Sequence, residues 1–302
     1  STTYNASKEK LKVGLIGVGL RGTNHLNNVL LRDDVLVTAI CDIDDNRIAI
    51  ALNEISKAGQ QKPLIFGSND YDYRNLLALK NVDAVIISTP WLWHTRMAKD
   101  AMLAGKYTGL EVSAANTLEE CWDLVNTHEA TGTHLMILEN VNYRRDIMAV
   151  LNMVKQQVFG ELVHFRCGYQ HDLRFVKLND GKTAYGKGVE FGAKGISESA
   201  WRTQHSLLRN ADVYPTHGVG PIATMCDINR GNRFSSISSN DNYHILDTGS
   251  PHYVSLQSGL QAIDMNVEGA KIRHTPPFDI EGVNVNFAEK INDDTFSIRT
   301  YE

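Results

Sequence analysis

The chain has 302 residues, of which 42% are hydrophobic and 22% charged, values that are typical of globular proteins. Its formal net charge of −5 provides no basic surface and argues against a nucleic-acid partner. The longest apolar runs, such as residues 82–88, have the length of a strand, so no membrane span is expected. The four cysteines are scattered without a C-x-x-C pair, which favours neither a zinc knuckle nor a disulfide framework.

In the first half of the chain, short apolar runs alternate with segments of helical periodicity. This alternation predicts an α/β domain over residues 1–142, with a doubly wound parallel sheet of the Rossmann type covered by helices on both faces. The predicted strands are 12–17, 35–41, 82–88, 107–111 and 134–139, and the predicted helices are 24–31, 47–58, 72–79, 95–104 and 117–131.

The pattern changes after about residue 142. A helix is predicted at 145–157, a strand at 162–169 and a second helix at 219–229. The polar, Gly- and Lys-rich stretch 179–195 predicts a loop over a site. Short strand-like pieces follow from residue 232 onward. We therefore expect a second domain over residues 143–302, of α+β type, with a mixed or antiparallel sheet.

A glycine motif marks the end of the first predicted strand. Gly17, Gly19 and Gly22 form G-x-G-x-x-G between that strand and the first helix, where glycines allow a tight turn and a close approach to a pyrophosphate. Asp42 closes the second strand, 20 residues after Gly22, at the position where a carboxylate binds the ribose diol. A carboxylate there repels a 2′-phosphate, so the motif predicts NAD rather than NADP.

Further polar and aromatic residues follow the later strands of the same sheet. Trp91 and His94 come after the third predicted strand, where open α/β sheets bind ligands. They are candidates to flank the ribose and nicotinamide, and the alternative is that tryptophan packs and His94 caps the next helix. Glu111 and Asn140, at two further strand ends, either touch the nicotinamide ribose or satisfy loop amides.

Three clusters in the second half combine side chains that bind sugars and move protons. They are GYQHDLR with Tyr169, WRTQHS with Arg202, and YPTHGVGP with Tyr214 and His217. The alternative for each is structural: a turn at Tyr214, a helix cap at His217 and a surface ion pair at Arg202. The region is also rich in histidine, but no histidine stands at metal-ligand spacing from a cysteine or a second histidine, so no metal site is predicted.

These motifs together resemble the Gfo/Idh/MocA family and, within it, the NAD-dependent α-N-acetylgalactosaminidases of glycoside hydrolase family 109. The resemblance runs over about residues 11–234 and is not recognised beyond Phe234. Members of the group are usually longer, so the part beyond Phe234 is expected to be truncated, rearranged or divergent, which leaves open whether the second domain is complete. The matching motifs are GVGLRG (17–22), CDID (41–44), TPWLWH (89–94), LEV (110–112), TLEECW (117–122), ENVNYRRD (139–146), WRTQHS (201–206) and YPTHGVGP (214–221).

The resemblance implies a role for two sets of residues. His217 and Tyr169 are its candidates for proton transfer. The sugar-facing residues that it implies are Tyr169, Arg202, Tyr214 and His217. The NAD contacts that it implies are Leu20, Arg21, Asp42, Trp91, Leu92, Trp93, His94, Glu111, Val112 and Asn140.

The resemblance also implies the reaction: transient oxidation at C3 of the sugar, elimination of the aglycone, addition of water and re-reduction. Val112 stands where many sugar dehydrogenases of this design carry a lysine that handles a proton. An ordinary NAD-dependent sugar or inositol dehydrogenase is the first alternative, and a non-catalytic sugar or NAD sensor is the second. The expected partner is a small glycoside, and a homo-oligomer stays open.

The compartment also stays open. The first ten residues are polar and lack the apolar segment of a signal peptide, whereas the family resemblance allows an exported or periplasmic protein.

Overall fold

Contacts between residues divide the chain into two units. The computed structural model describes residues 10–169, 197–209, 215–235, 244–247, 251–276, 278, 283–292 and 295–301. The first unit comprises residues 1–203 and 214–232, and the second comprises 204–213 and 233–302. The division at residue 142, which was based on motifs and periodicity, stays a prediction.

The first unit is built on a six-stranded parallel sheet in the order β3-β2-β1-β4-β5-β6. The predicted doubly wound Rossmann sheet is therefore confirmed, and the short β3 is a strand that the sequence pattern did not indicate. The strands are β1 Leu11–Ile16, β2 Val35–Cys41, β3 Leu64–Phe66, β4 Ala84–Ile87, β5 Tyr107–Leu110 and β6 Leu135–Ile137, and the helices between them are α1 Leu20–Leu30, α2 Asp45–Lys57, α3 Tyr73–Leu77, α4 Trp91–Leu103 and α5 Leu118–Thr131.

The sheet is buried on both faces, which explains why its strands are almost continuously apolar. Successive residues of β1 point to opposite faces, so Leu15 packs into one core cluster with Leu26 of α1, and Ile16 packs into the other with Met102 of α4. All four side chains are almost completely inaccessible to solvent. Burial of each such side chain stabilises the fold by about 1.5–3 kcal/mol. The carboxyl ends of the strands are thereby held in fixed positions along one edge.

Helices and turns make up the rest of the first unit. A 3-10 helix, Asn140–Tyr143, leads into α6, Arg145–Lys155. Two further helices are α7, Ser197–Leu208, of which residues 197–203 belong to this unit, and α8, Thr216–Met225. The helix predicted at 219–229 therefore begins and ends earlier. Residues 162–169 contain no strand, although one was predicted: their backbone pairs with no strand among the described residues, and alternation alone does not supply the ladder hydrogen bonds. The predicted loop at 179–195 lies outside the described residues.

The second unit contains a four-stranded sheet in the order β10-β9-β8-β7. β8 and β9 are parallel and the other two pairs are antiparallel, so the predicted mixed sheet is confirmed. A small core of Leu260, Val285 and Phe287 lies beside this sheet. No helix in the described part of the chain is long and apolar enough to cross a membrane. The elements are β7 His244–Asp247, β8 Pro251–Leu256, a 3-10 helix Leu260–Ala262, α9 Met265–Arg273, β9 Asn284–Asn292 and β10 Thr295–Tyr301.

Candidate functional site

The glycine motif forms a tight turn between β1 and α1. Gly17 has a φ of +83°, a conformation that side chains other than glycine rarely adopt, and a Cβ there would lie 2.8 Å from the carbonyl carbon of Ser88. A Cβ on Gly22 would overlap the carbonyl oxygen of Gly17, so the first turn of α1 can pack only with glycine at that position. Gly19, in contrast, faces open space, because no atom of the described residues would lie within 4 Å of a Cβ placed on it.

Asp42 lies beside this turn, at the end of β2. One carboxylate oxygen accepts a hydrogen bond of 2.7 Å from the backbone N–H of Val18, and the other accepts one of 3.0 Å from Asp44. Burial raises the pKa of Asp42 above its ordinary value, although these backbone hydrogen bonds oppose the shift. The side chain is thus fixed next to the glycine turn, in the position that the sequence predicted.

The residues of this edge fit a dinucleotide. The open backbone at Gly19 begins the helix α1, whose N-terminal N–H groups favour a bound anion. The hydroxyl of Ser88, at the end of β4, is buried and has no hydrogen-bond partner among the described residues. A Cβ on Gly22 would lie 3.6 Å from the Cβ of Ser88, so this hydroxyl belongs to the same turn. Asp42 would supply an acceptor for the ribose hydroxyls.

The loops after β4 and β5 are joined by Trp91 and His94. Trp91 donates from Nε1 to the carbonyl of Val112 at 3.2 Å. The His94 ring lies 2.7 Å from the carbonyl oxygens of both Thr89 and Ser113. Burial lowers the pKa of His94, and the two carbonyls oppose this shift without reversing it. His94 thus ties the two loops together within the first turn of α4, which is more than the helix cap that the sequence offered as its alternative role.

Glu111, directly after β5, has three hydrogen-bonding partners at this edge. Its Oε1 accepts from Arg21 Nε and lies 2.6 Å from His25 Nε2, while its Oε2 accepts from the backbone of Val112. Burial by itself would raise the pKa of Glu111, but the hydrogen bonds from His25 and Arg21 outweigh it and the pKa is lowered. His25 was not among the predicted site residues.

The remaining predicted cofactor residues lie at the same strand ends with less definite contacts. Leu92 is exposed, and the ring of Trp93 packs edge-on against Tyr71 with centroids 5.5 Å apart. Asn140 is exposed at the start of the 3-10 helix that follows β6. Their contact with NAD stays a prediction.

A second group of residues forms around His217 in the first turn of α8. His217 Nδ1 lies 2.6 Å from Glu139 Oε1, and both side chains are buried. The ring of Tyr169 meets that of His217 edge-on, with centroids 4.5 Å apart. Glu139 lies two residues after the end of β6, near the strand end as Asp42 and Glu111 are, but it was not among the predicted site residues.

Arg202 lies against aromatic rings of the same unit. Its guanidinium carbon is 5.2 Å from the ring centroid of Trp91 and 4.9 Å from that of Trp201, within the range of cation–π attraction. The two tryptophans meet edge-on at 4.9 Å. Trp91 therefore connects Arg202 to the loop that carries Val112. Tyr214, the fourth predicted sugar residue, lies outside the described residues.

Tyr169 and His217 line a cavity of about 760 Å³ within the first unit. Its other walls include residues 161–168, the charged side chains of Arg144 and Asp146, and apolar side chains of α6 and α8 such as Val150 and Ile222. Binding sites for small molecules commonly have volumes of roughly 300–1,000 Å³ and mostly apolar walls with a few polar groups. The described residues contain no group of three His, Cys, Asp or Glu side chains that could hold a metal ion.

Family models match both halves of this arrangement. Residues 11–138 match the oxidoreductase family with the NAD-binding Rossmann fold (GFO_IDH_MocA), and residues 143–266 match the C-terminal domain of glycosyl hydrolase 109. The C-terminal part of the chain is therefore similar to glycoside hydrolase family 109. The match extends to residue 266, beyond Phe234, where the motifs alone lost the resemblance. The sheet of the first unit thus lies in the part of the chain that matches the NAD-binding Rossmann family.

Relatives agree with this assignment. A glycosyl hydrolase family 109 protein of Parabacteroides distasonis is 53% identical over 76% of this chain and 50% of its own length. An alpha-N-acetylgalactosaminidase of Tannerella forsythia is 52% identical, again over 76% of this chain and 50% of its own length. The chain therefore spans about half the length of the curated relatives it matches.

A solved structure with a similar fold is that of myo-inositol 2-dehydrogenase from Lactobacillus plantarum. The likeness has a TM-score of 0.47 at 20% sequence identity. It covers 53% of this chain and 45% of that one.

The charge of Asp42 leads to a testable preference between cofactors. We expect Asp42→Asn to narrow the affinity ratio of NAD+ over NADP+ by about tenfold, or ~1.4 kcal/mol, because the repulsion of the 2′-phosphate is removed. The amide oxygen of asparagine can still accept from Val18, so the glycine turn is retained. Dissociation constants for both nucleotides measure the ratio, and an unchanged ratio would contradict the assignment of Asp42 to the ribose.

Proposed function

We propose that the chain carries the NAD site and part of the sugar site of a glycosidase that acts on α-linked N-acetylgalactosaminides with NAD as cofactor. The observation that carries this proposal is the buried Glu139–His217 pair with Tyr169 against it. The pair stands in a chain whose C-terminal part matches the family 109 domain. The name of the Tannerella forsythia relative supports the choice of sugar.

The pair is suited to moving a proton at His217. Because the carboxylate of Glu139 accepts from Nδ1, the neutral ring keeps its proton there and Nε2 becomes the basic nitrogen. Glu139 also holds the ring in orientation, as a carboxylate does for a catalytic histidine in other hydrolases. We assign His217 to the proton of the leaving oxygen and of the incoming water.

Tyr169 and Arg202 complete the sugar site. Tyr169 is 41% exposed and lines the cavity beside His217, so its phenol oxygen is assigned to the proton at C2 of the sugar. Arg202 is assigned to anchoring a substrate hydroxyl, since its guanidinium is held against two indole rings and has donors in a fixed plane. Tyr214 is retained as a further sugar contact from the family resemblance.

The NAD site would be formed by the glycine turn, Asp42 and Glu111, together with the other predicted contacts at the strand ends. NAD bound there would supply the reversible oxidation at C3 that makes the C2 proton acidic. These residues bind and orient the cofactor, and the buried Trp91 and His94 hold the loops around it.

The residue after Glu111 supports a glycosidase over a simple dehydrogenase. Val112 is 3% exposed, so an apolar side chain is packed where many sugar dehydrogenases of this design place a lysine. The proton-handling groups lie instead on Tyr169 and His217. This arrangement fits a reaction whose proton transfers occur on the sugar side of the site.

The experiment is cleavage of p-nitrophenyl α-N-acetylgalactosaminide by the protein with NAD bound. We expect release of nitrophenol over many turnovers without accumulation of NADH, because the reaction involves no net oxidation. NADH formed in proportion to free sugar, with no glycoside cleavage, would contradict the proposal and indicate a dehydrogenase. Cleavage of the β-linked anomer alone would contradict the proposed linkage.

A further inference from the structure

We infer that His25 is a positioning residue for the cofactor site, which fixes the carboxylate of Glu111 through a hydrogen bond from Nε2. This inference rests on the proposed placement of Glu111 at NAD and not on glycosidase activity. His25 belongs to none of the motifs that pointed to the cofactor, and its contact joins residues 86 positions apart.

The geometry begins with the spacing on α1. Arg21 and His25 are four residues apart, so their side chains lie on the same face of the helix, one turn from each other. Both reach the same atom: Arg21 Nε and His25 Nε2 each lie 2.6 Å from Glu111 Oε1. The helix α1, which follows the glycine turn, is thereby hydrogen-bonded to the residue that follows β5.

Burial separates the roles of the two donors. The side chain of Arg21 is 40% exposed, whereas those of His25 and Glu111 are 15% and 6% exposed. An ion pair that is exposed to solvent contributes little to holding its partners in place. Arg21 is also a predicted NAD contact, so its guanidinium would be shared between Glu111 and the cofactor. His25 is the more enclosed donor, and its hydrogen bond to a buried carboxylate is the stronger constraint on where that carboxylate points.

The other carboxylate oxygen of Glu111 contacts the loop after β5. Glu111 Oε2 accepts from the backbone N–H of Val112 at 3.1 Å, and the carbonyl of Val112 accepts from Trp91. Rotation of the Glu111 carboxylate would break the first of these contacts and release the loop after β5. Loss of His25 is therefore expected to weaken NAD binding through Glu111, while the core clusters around the sheet remain intact.

The test is a calorimetric titration of NAD+ into nucleotide-stripped protein carrying each of three substitutions. We expect His25→Ala to weaken binding about tenfold, or ~1.4 kcal/mol. His25→Gln is expected to bind within about twofold of wild type, because its amide nitrogen reaches the position of Nε2 and donates there. His25→Asn, whose amide nitrogen reaches only the position of Nδ1, is expected to behave like alanine.

Two controls make the outcomes distinct. Thermal unfolding without NAD should be similar for the glutamine and asparagine variants, so a difference between their affinities reports the hydrogen bond and not the fold. Equal affinity of these two variants would overturn the inference. Glu111→Ala is expected to weaken the binding of NAD+ at least as much as His25→Ala does. If Glu111→Ala binds NAD+ with wild-type affinity, Glu111 does not lie at NAD. If Glu111→Ala binds NAD+ weakly but His25→Ala binds it with wild-type affinity, only the role of His25 is refuted.

Discussion

Replacement of His217 with alanine is expected to lower kcat for the α-N-acetylgalactosaminide by about 10²–10⁴-fold, the range for a lost general acid or base. The cavity walls and Arg202 remain, so KM should change much less than kcat. Steady-state kinetics on the nitrophenyl glycoside measure both, and added imidazole is expected to restore part of the rate because it can occupy the space of the missing ring. A variant that retained wild-type turnover would remove His217 from the mechanism.

Glu139 provides the matched variants for this experiment. Glu139→Gln keeps an oxygen that can accept from His217 Nδ1, at the 2.6 Å contact, but removes the negative charge. Glu139→Ala removes both the acceptor and the charge. We expect turnover to fall in the order wild type, glutamine, alanine, with NAD affinity unchanged in each. Equal activity of all three proteins would show that the carboxylate does not act through His217.

Replacement of Gly22 with alanine is expected to abolish tight NAD binding and to destabilise the fold. The new Cβ would overlap the carbonyl oxygen of Gly17, and because that atom belongs to the backbone, α1 must move away from the turn. Overpacking of this kind costs roughly 1–3 kcal/mol, which corresponds to a decrease in Tm of about 2–12 °C for a unit of this size. The NAD+ dissociation constant should rise by at least about 100-fold, or ~2.7 kcal/mol.

Gly19 is the control within the same motif. Its φ of −63° is accessible to alanine, and no described protein atom lies within 4 Å of a Cβ there. Gly19→Ala should therefore keep the wild-type Tm but raise the NAD+ dissociation constant by about tenfold or more, because the middle glycine allows the pyrophosphate to approach the backbone. Wild-type NAD affinity in Gly19→Ala would show that the cofactor does not approach here, and a wild-type Tm in Gly22→Ala would contradict the steric argument.

The parts of the site that depend on short-range patterns were predictable. Gly17 and Gly22 are required by the local backbone, and Asp42 occupies the strand end that the motif spacing indicates. His217 was recognised as a candidate from its own segment. The partner that makes it a buried ionisable pair, Glu139, lies 78 residues away, and nothing in the sequence between them indicates the contact.

The sequence by itself determined the parallel sheet of the first unit, the dinucleotide turn and the resemblance to family 109. Apolar runs, helical periodicity and glycine turns depend on residues that are close together in the sequence. They can therefore be recognised in the linear chain. Only the tertiary structure decided that His25 joins Arg21 on Glu111 and that Arg202 lies against Trp91. It also decided that residues 162–169 form no strand in the described part of the chain. The physical reason is common to these cases: a hydrogen bond, a ring contact or a sheet ladder needs a partner, and folding, not sequence proximity, brings the partner within reach.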